Sequence, residues 1–330
     1  MKVPALSRRA VIATGGLAAG AGIVGGAWFG RDRTDDGPGA RSFSAGTVPG
    51  GIDRLVHARV GELADDDTAR EATTTILESA AFADVPESLS AIVGGETETD
   101  VDPSGLRKLV LCGNDADGSV AIVWTTWGEA DLLEELETVA GVTAESNDDE
   151  AVTYSLGEST VASLTDDAFV IGAEAMSRAV VDVWHADADP LTGDLLRTFE
   201  GATTDAPVRF AFATPGSDCP GPLVPDDDIA EAVEYAFGSA HSADGERIVD
   251  ANLWTNSLDA ARDVHDEIGA TLDRDGQNDA DDPFDPPEVR EYVALERDNQ
   301  VVTLEFRSET AASLALVRSF LRTVGCPVRS

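Results

Sequence analysis

The chain has 330 residues, and its 42% hydrophobic content argues against intrinsic disorder of the main body, which combines high charge with low hydrophobicity. Its 62 acidic residues outnumber its 23 Lys and Arg residues and give a formal net charge of −39, which argues against nucleic-acid binding because that requires basic patches. Repulsion between so many like charges destabilises a compact state. Salt at about 1 M weakens this repulsion, because it shortens the Debye length to about 3 Å.

Residues 1–30 are predicted to be a targeting segment. Arg8 and Arg9 are followed at once by apolar residues, as in a twin-arginine export signal. Residues 10–30 carry no charge and are long enough to span a bilayer if they are not cleaved. We therefore expect an extracytoplasmic protein, at the cell surface or secreted. The segment is either a cleaved leader or an uncleaved anchor, and we expect no other part of the chain to contact the membrane.

The next residues, 31–50, are rich in Gly, Asp, Ser and Pro and predict a flexible tether. Hydrophobic periodicity then predicts strands and helices in a definite order. The predicted elements are a strand at 54–60, a helix at 68–80, a strand at 121–126, a helix at 129–140, extended segments at 152–156, 159–164 and 168–172, and a helix beginning near 173.

The same order recurs in the second part of the chain. It comprises a strand at 208–214, a helix at 227–237, a strand ending at 255, a helix at 257–272, extended segments at 289–296 and 300–307, and a helix beginning near 308. Trp124 and Trp254 occupy corresponding positions, and we expect both in the core; a ligand platform formed by these two residues and Trp127 is the alternative. The sequence therefore predicts an α+β protein of two related halves, 51–205 and 206–330, each a mostly antiparallel sheet with helices packed on one face.

Three cysteines are present in a chain expected to reach a compartment where disulfides persist. Cys219 and Cys326 each precede a proline in a loop-like segment, and we predict a disulfide between them. Cys112 ends an apolar stretch and is predicted to be a buried free thiol. Three unpaired thiols remain an alternative, because sequence spacing does not determine connectivity.

Most catalytic and metal-binding motifs are absent from the sequence, which contains no G-x-S-x-G, H-E-x-x-H, C-x-x-C or P-loop motif. None of the four histidines, at positions 57, 185, 241 and 265, has a His or Cys at ligand spacing, so surface or capping roles are favoured over zinc binding. No cofactor is predicted.

One acidic loop is a weak calcium candidate. Asp273, Asp275, Asp279 and Asp281 offer oxygen ligands, but the glycine of this loop stands at the fourth position, whereas an EF-hand requires it at the sixth. Solvated acidic surface is therefore the favoured interpretation of the loop.

The chain resembles a group of uncharacterised haloarchaeal exported proteins that have a twin-arginine signal. The resemblance rests on the leader, on the order of elements, and on the segments 168–174 and 187–191. An acidic composition whose basic residues, apart from Lys2 and Lys108, are all Arg is typical of such proteins. The resemblance implies export and a high-salt habitat, and it brings no activity, ligand or site residue.

These observations favour a non-catalytic structural or binding protein of the cell envelope of a halophile. The alternatives are an extracytoplasmic hydrolase with a site assembled from distant residues, and a solute-binding protein. The sequence indicates no particular partner or oligomeric state.

Overall fold

The computed structural model describes residues 43–94, 105–140, 145–147, 153–214, 229, 231–273 and 287–309, except for residues 64 and 204. All of these described residues belong to one compact unit. The predicted leader lies outside the described residues.

Within the described residues, twelve strands form one antiparallel sheet. The strands are β1 Arg54–Ala58, β2 Leu106–Asn114, β3 Gly118–Thr125, β4 Glu145–Asn147, β5 Thr153–Leu156, β6 Ser159–Thr165, β7 Ala168–Gly172, β8 Val208–Ala213, β9 Val233–Ala243, β10 Glu246–Thr255, β11 Val293–Asp298 and β12 Val301–Ser308. Their order across the sheet is β11-β12-β10-β9-β8-β1-β2-β3-β7-β6-β5-β4.

The strand order repeats on the two sides of the β1–β8 pair. One side reads β1-β2-β3-β7-β6 and the other β8-β9-β10-β12-β11. A pseudo-twofold axis between Val56 and Phe210, which face each other across this pair, relates the pairing registers of one side to those of the other. It places Trp124 on Trp254, and each of these residues is paired with the first residue of its neighbouring strand, β7 or β12. The α+β class and the two related halves are therefore confirmed, and the halves share one sheet.

The described residues include seven α-helices, and they cover both faces of the sheet. They are α1 Val60–Leu63, α2 Asp67–Leu77, α3 Glu87–Gly94, α4 Glu129–Ala140, α5 Glu174–Trp184, α6 Asp194–Gly201 and α7 Leu258–Leu272. The face that carries Val56 and Phe210, here called the α2 face, packs against α2, α3, α4 and α7. The face that carries Leu55, here called the α6 face, packs against α5 and α6.

The sequence predicted helices on one face of the sheet only, whereas the structure has them on both faces. In the central strand β2 the residues from Leu109 to Cys112 are buried without alternation. A strand that is apolar on both faces needs cover on both. None of the helices within the described ranges is long and apolar enough to cross a membrane.

Asp66 connects the two halves on the α2 face. Its carboxylate caps α2 by accepting a hydrogen bond from the amide of Ala69 (3.0 Å). It also accepts bonds from the amide (2.7 Å) and the hydroxyl (2.8 Å) of Ser242 in β9. One buried carboxylate therefore joins a helix of the first half to a strand of the second.

Two predicted elements of the second half differ in the structure. The helix predicted at 227–237 is wrong over its last residues, because Val233–Ala243 forms β9 between β8 and β10. Backbone pairing on both sides outweighs the weak helical pattern of this segment. The strand predicted from residue 289 begins at Val293, since Pro287–Tyr292 forms a 3₁₀ helix. In contrast, the predicted helix at 129–140 is confirmed with the same ends.

We predict that Gly238→Ala destabilises the sheet. A Cβ at Gly238 would overlap the backbone carbonyl oxygen of Asp250 and approach the Phe210 ring to 2.9 Å. We expect the free energy of unfolding to fall by about 1–3 kcal/mol or more in a denaturant titration in molar salt.

Gly269→Ala is the matched control, because a Cβ there meets only Leu295, at 3.8 Å, and the residue lies within α7. Alanine in a helix interior should raise the stability by about 0.5–1 kcal/mol. Equal effects of the two substitutions would contradict the close approach at Gly238.

Candidate functional site

Five polar residues lie in a row across the α6 face, each directly opposite the next on the neighbouring strand. They are His57 on β1, Arg209 on β8, Ser239 on β9, Asp250 on β10 and Glu305 on β12. Side chains at directly opposed positions lie about 5 Å apart, so consecutive members can interact. We call this set the polar row.

The twofold axis relates the polar row to a row with no polar side chain other than a buried thiol. The equivalent residues, again each opposite the next, are Ala211, Leu55, Cys112, Val120 and Gly172. All five are buried. Because the same fold accommodates an apolar row at the equivalent positions, the polar side chains of this row are not required by the architecture. That difference identifies the polar row as the candidate site.

His57 and Arg209 form the cationic end of the row and are almost inaccessible, with 1% and 7% of their surfaces exposed. The Arg209 guanidinium lies 4.6 Å from the centre of the Phe199 ring. Phe43 packs against Phe199 (4.7 Å between ring centres) and meets the His57 ring edge-on at 6.0 Å. Within the described residues, neither ring nitrogen of His57 nor Nε of Arg209 has a hydrogen-bond partner.

Burial dominates the electrostatics of this end. Burial and, to a smaller extent, the charges of Arg209, Lys108 and Arg59 together lower the pKa of His57 to about 3. The imidazole is therefore neutral at physiological pH. Burial also lowers the pKa of Arg209, and Arg59 adds to that shift.

Asp250 and Glu305 form the acidic end. The Asp250 carboxylate accepts hydrogen bonds from the hydroxyls of Ser239 (3.2 Å) and Thr203 (3.4 Å). Burial raises the pKa of Asp250, and the neighbouring Glu305 charge raises it further, while His241 acts in the opposite direction. Glu305 is more open and accepts a bond from Nε of Arg307 (3.3 Å).

The contacts of the row suit binding better than proton transfer. The Ser239 hydroxyl donates to Asp250 and not to a histidine, so the row lacks the Ser–His pair that activates a nucleophile. A histidine with a pKa of about 3 is a weak general base near neutral pH. The arrangement instead places fixed donors at one end and fixed acceptors at the other.

Several residues predicted to matter lie outside the described residues: Arg8 and Arg9, Cys219 and Cys326, and the calcium candidates Asp275, Asp279 and Asp281. The remaining calcium candidate, Asp273, caps the end of α7, where its amide donates to the carbonyl of Gly269 (3.0 Å). No group of three or more His, Cys, Asp or Glu side chains suited to a metal ion occurs in the described parts of the chain.

The predicted thiol and two of the histidines are found where the sequence placed them. Cys112 is a buried free thiol, as predicted, and burial raises its pKa to about 12. His185 caps the end of α5, and His265 lies on α7 beside Asp266. His57 differs from the predicted surface or capping role, because it is buried in β1 beneath Phe43.

Trp124 and Trp254 are half-buried at the edges of the α6-face core. Their ring partners differ between the halves. The Lys108 ammonium lies 3.6 Å from the centre of the Trp124 ring, whereas Trp254 meets Tyr235 edge-on at 6.3 Å. Burial lowers the pKa of Lys108 to about 8. Lys108 in the first half and Tyr235 in the second therefore occupy equivalent positions, each paired with one of the two tryptophans.

Reasoning from the sequence missed the polar row, although part of its signal is visible there. Arg209 interrupts the apolar segment Val208–Ala213, and His57 interrupts β1 in the same way. Neither residue has a polar neighbour in the chain that would indicate a site. Only the register of β1 against β8 places these two residues side by side.

No protein-family model and no curated protein matches the chain. Among solved structures, crystal forms III, I and IV of TP0453 align with it at TM-scores of 0.49, 0.48 and 0.47, each with 11% sequence identity. The alignments cover 84%, 84% and 83% of this chain and 98%, 97% and 96% of those chains.

We predict that Asp250→Asn stabilises the protein at neutral pH. The amide keeps an acceptor for Ser239 and Thr203 and removes a charge that burial and Glu305 disfavour. Because the folded pKa of Asp250 lies above its ordinary value of 3.8, the charge is destabilising above the folded pKa and harmless once the group is protonated. The thermal midpoint should rise by a few degrees at neutral pH, and the gain should fade as pH falls toward 3.8.

Glu296→Gln on the exposed strand β11 is the control, since it removes the same charge from an exposed position. It should change the midpoint little. A gain for Asp250→Asn that persists at acid pH would rule out the electrostatic cause.

Proposed function

We propose that this chain is an exported, non-catalytic binding protein of the cell envelope of a halophile, and that the polar row holds its ligand. The leader with Arg8 and Arg9 supports export, and the net charge of −39 supports a high-salt setting. The binding role is supported by the row itself, which the fold does not require.

The observation that carries the proposal is the contrast between the two rows. A buried Arg, a buried His and a half-buried Asp are costly to place in a sheet, because polar groups lose hydration that protein contacts must replace. The apolar row demonstrates a less costly solution in the same molecule. Retaining the costly arrangement in only one of the two equivalent rows is consistent with a ligand that offsets its desolvation.

The test is to identify what the folded protein carries. The full chain is recovered from its own cells in molar salt and freed of small molecules by gel filtration. It is then denatured in solvent, and the released compounds are identified by mass spectrometry. We expect one compound in stoichiometric amount from the wild type.

The variants for this test introduce residues of the apolar row into the polar row. Arg209→Leu with Asp250→Val reproduces Leu55 and Val120, which the fold already accommodates at the equivalent positions. This variant should lose the compound. Arg178→Leu, at an exposed position on α5, removes a charge elsewhere and should retain it. Equal recovery from all three proteins would place any ligand outside the row and overturn the proposal.

Export is tested through the leader. Replacing Arg8 and Arg9 together by Lys keeps the charge and removes the pair that the export machinery reads. We expect the variant to accumulate in the cytoplasm, while the wild type appears in the membrane or the medium. Unchanged fractionation on immunoblots of the three compartments would overturn the proposed route.

A hydrolase is the second candidate, and the acidic end of the row favours it. Asp250 and Glu305 are neighbouring carboxylates, and the raised pKa of one beside an ionised partner is an arrangement used in general acid–base catalysis. Turnover of ester, peptide or glycoside substrates that Asp250→Asn abolishes would favour this candidate. If the wild type turns over none of these substrates, the hydrolase candidate fails and the binding proposal stands.

A further inference from the structure

We propose that the cationic end of the polar row binds one small anion of halide size, held between His57 and Arg209. The inference deepens the proposed function and rests on it, because it assigns a ligand class to one end of the same row. The inference does not involve the acidic end, where Asp250 lies two strands away from Arg209.

Unpartnered donors are the first observation. Both ring nitrogens of His57 and the Nε of Arg209 are fully buried, and none has a hydrogen-bond partner within the described residues. A neutral imidazole carries one N–H, and the guanidinium Nε carries another. Buried polar atoms are satisfied in the great majority of folded proteins, so a group of unsatisfied donors on facing residues calls for an acceptor.

The charge balance indicates that the acceptor is an anion and not a water molecule. Arg209 and Lys108 are each 7% exposed, and within the described residues neither forms an ion pair. The nearest acidic groups, Glu200 and Asp205 for Arg209 and Asp167 for Lys108, act on them only at longer range. Buried cations are ordinarily paired, since an isolated buried charge is costly.

The surroundings limit the anion to a small one. Phe43 and Phe199 pack together over His57 and Arg209 and leave 1% of His57 exposed. Residues this deeply buried are better suited to a bare ion than to the carboxylate of a larger solute.

The apolar row supplies an internal comparison for this end. The residues equivalent to His57 and Arg209 are Ala211 and Leu55, which carry no donor. The equivalent pair therefore lacks the site, so we expect one such anion per chain. Arg209→Leu should fold, because leucine is already accommodated at the equivalent position.

The experiment follows thermal unfolding of the full chain while chloride replaces gluconate at constant molar sodium. A ligand that binds only the folded state raises the midpoint with its concentration. We expect a saturable rise for the wild type and for Arg178→Leu. For Arg209→Leu the apparent chloride affinity should fall by about tenfold or more, because a charge-assisted donor is lost. A chloride response that is the same in all three proteins overturns the inference.

A second measurement needs no variant. Crystals of the wild type grown or soaked with bromide should show an anomalous peak within hydrogen-bonding distance of His57 and Arg209, and its absence at molar bromide overturns the inference. If a larger anionic solute occupies the site, the solvent extract contains it and bromide gives no peak. In that case halide binding fails while the proposed binding function stands. No released compound together with no halide response would overturn both.

Discussion

The pairing of β1 with β8 is the interaction on which the rest of the structure depends. Five residue pairs, centred on Val56 and Phe210, join two halves whose other strands pair mainly with neighbours inside the same half. The two strands lie far apart in the chain, so their pairing closes a long loop at an entropic cost that local hairpins do not have. The packing of α2 on β9 and the hydrogen bonds of Asp66 reinforce the same junction.

The polar row exists only because this register holds. A shift of one residue between β1 and β8 would move His57 or Arg209 to the opposite face, since strand side chains alternate. The twofold relation then makes the row informative. Two sets of equivalent positions share one backbone arrangement, and one set is apolar while the other carries charge. A difference between duplicated halves separates what the fold needs from what a ligand would need.

The distribution of charge supports this view of the site. The chain has a net charge of −39, and salt screens charges that face solvent. Yet Lys108 and Arg209 are buried in the sheet. Burial holds His57 neutral, with a pKa of about 3, so it can donate one hydrogen bond without adding charge. At the other end burial raises the pKa of Asp250, and two hydroxyls hold its carboxylate. The row thus combines donors and acceptors at fixed positions.

The sequence by itself determined the α+β class, the repeated order of elements, the helix at 129–140 and the buried thiol of Cys112, because these depend on local periodicity and on apolar neighbours in the chain. It predicted a helix in place of the start of β9, where pairing on both sides decided the conformation. The merging of the halves into one sheet, the cover on both faces and the polar row were decided by the tertiary structure alone. Each depends on which strands become neighbours and in which register, and backbone hydrogen bonds between residues distant in the chain leave no local pattern.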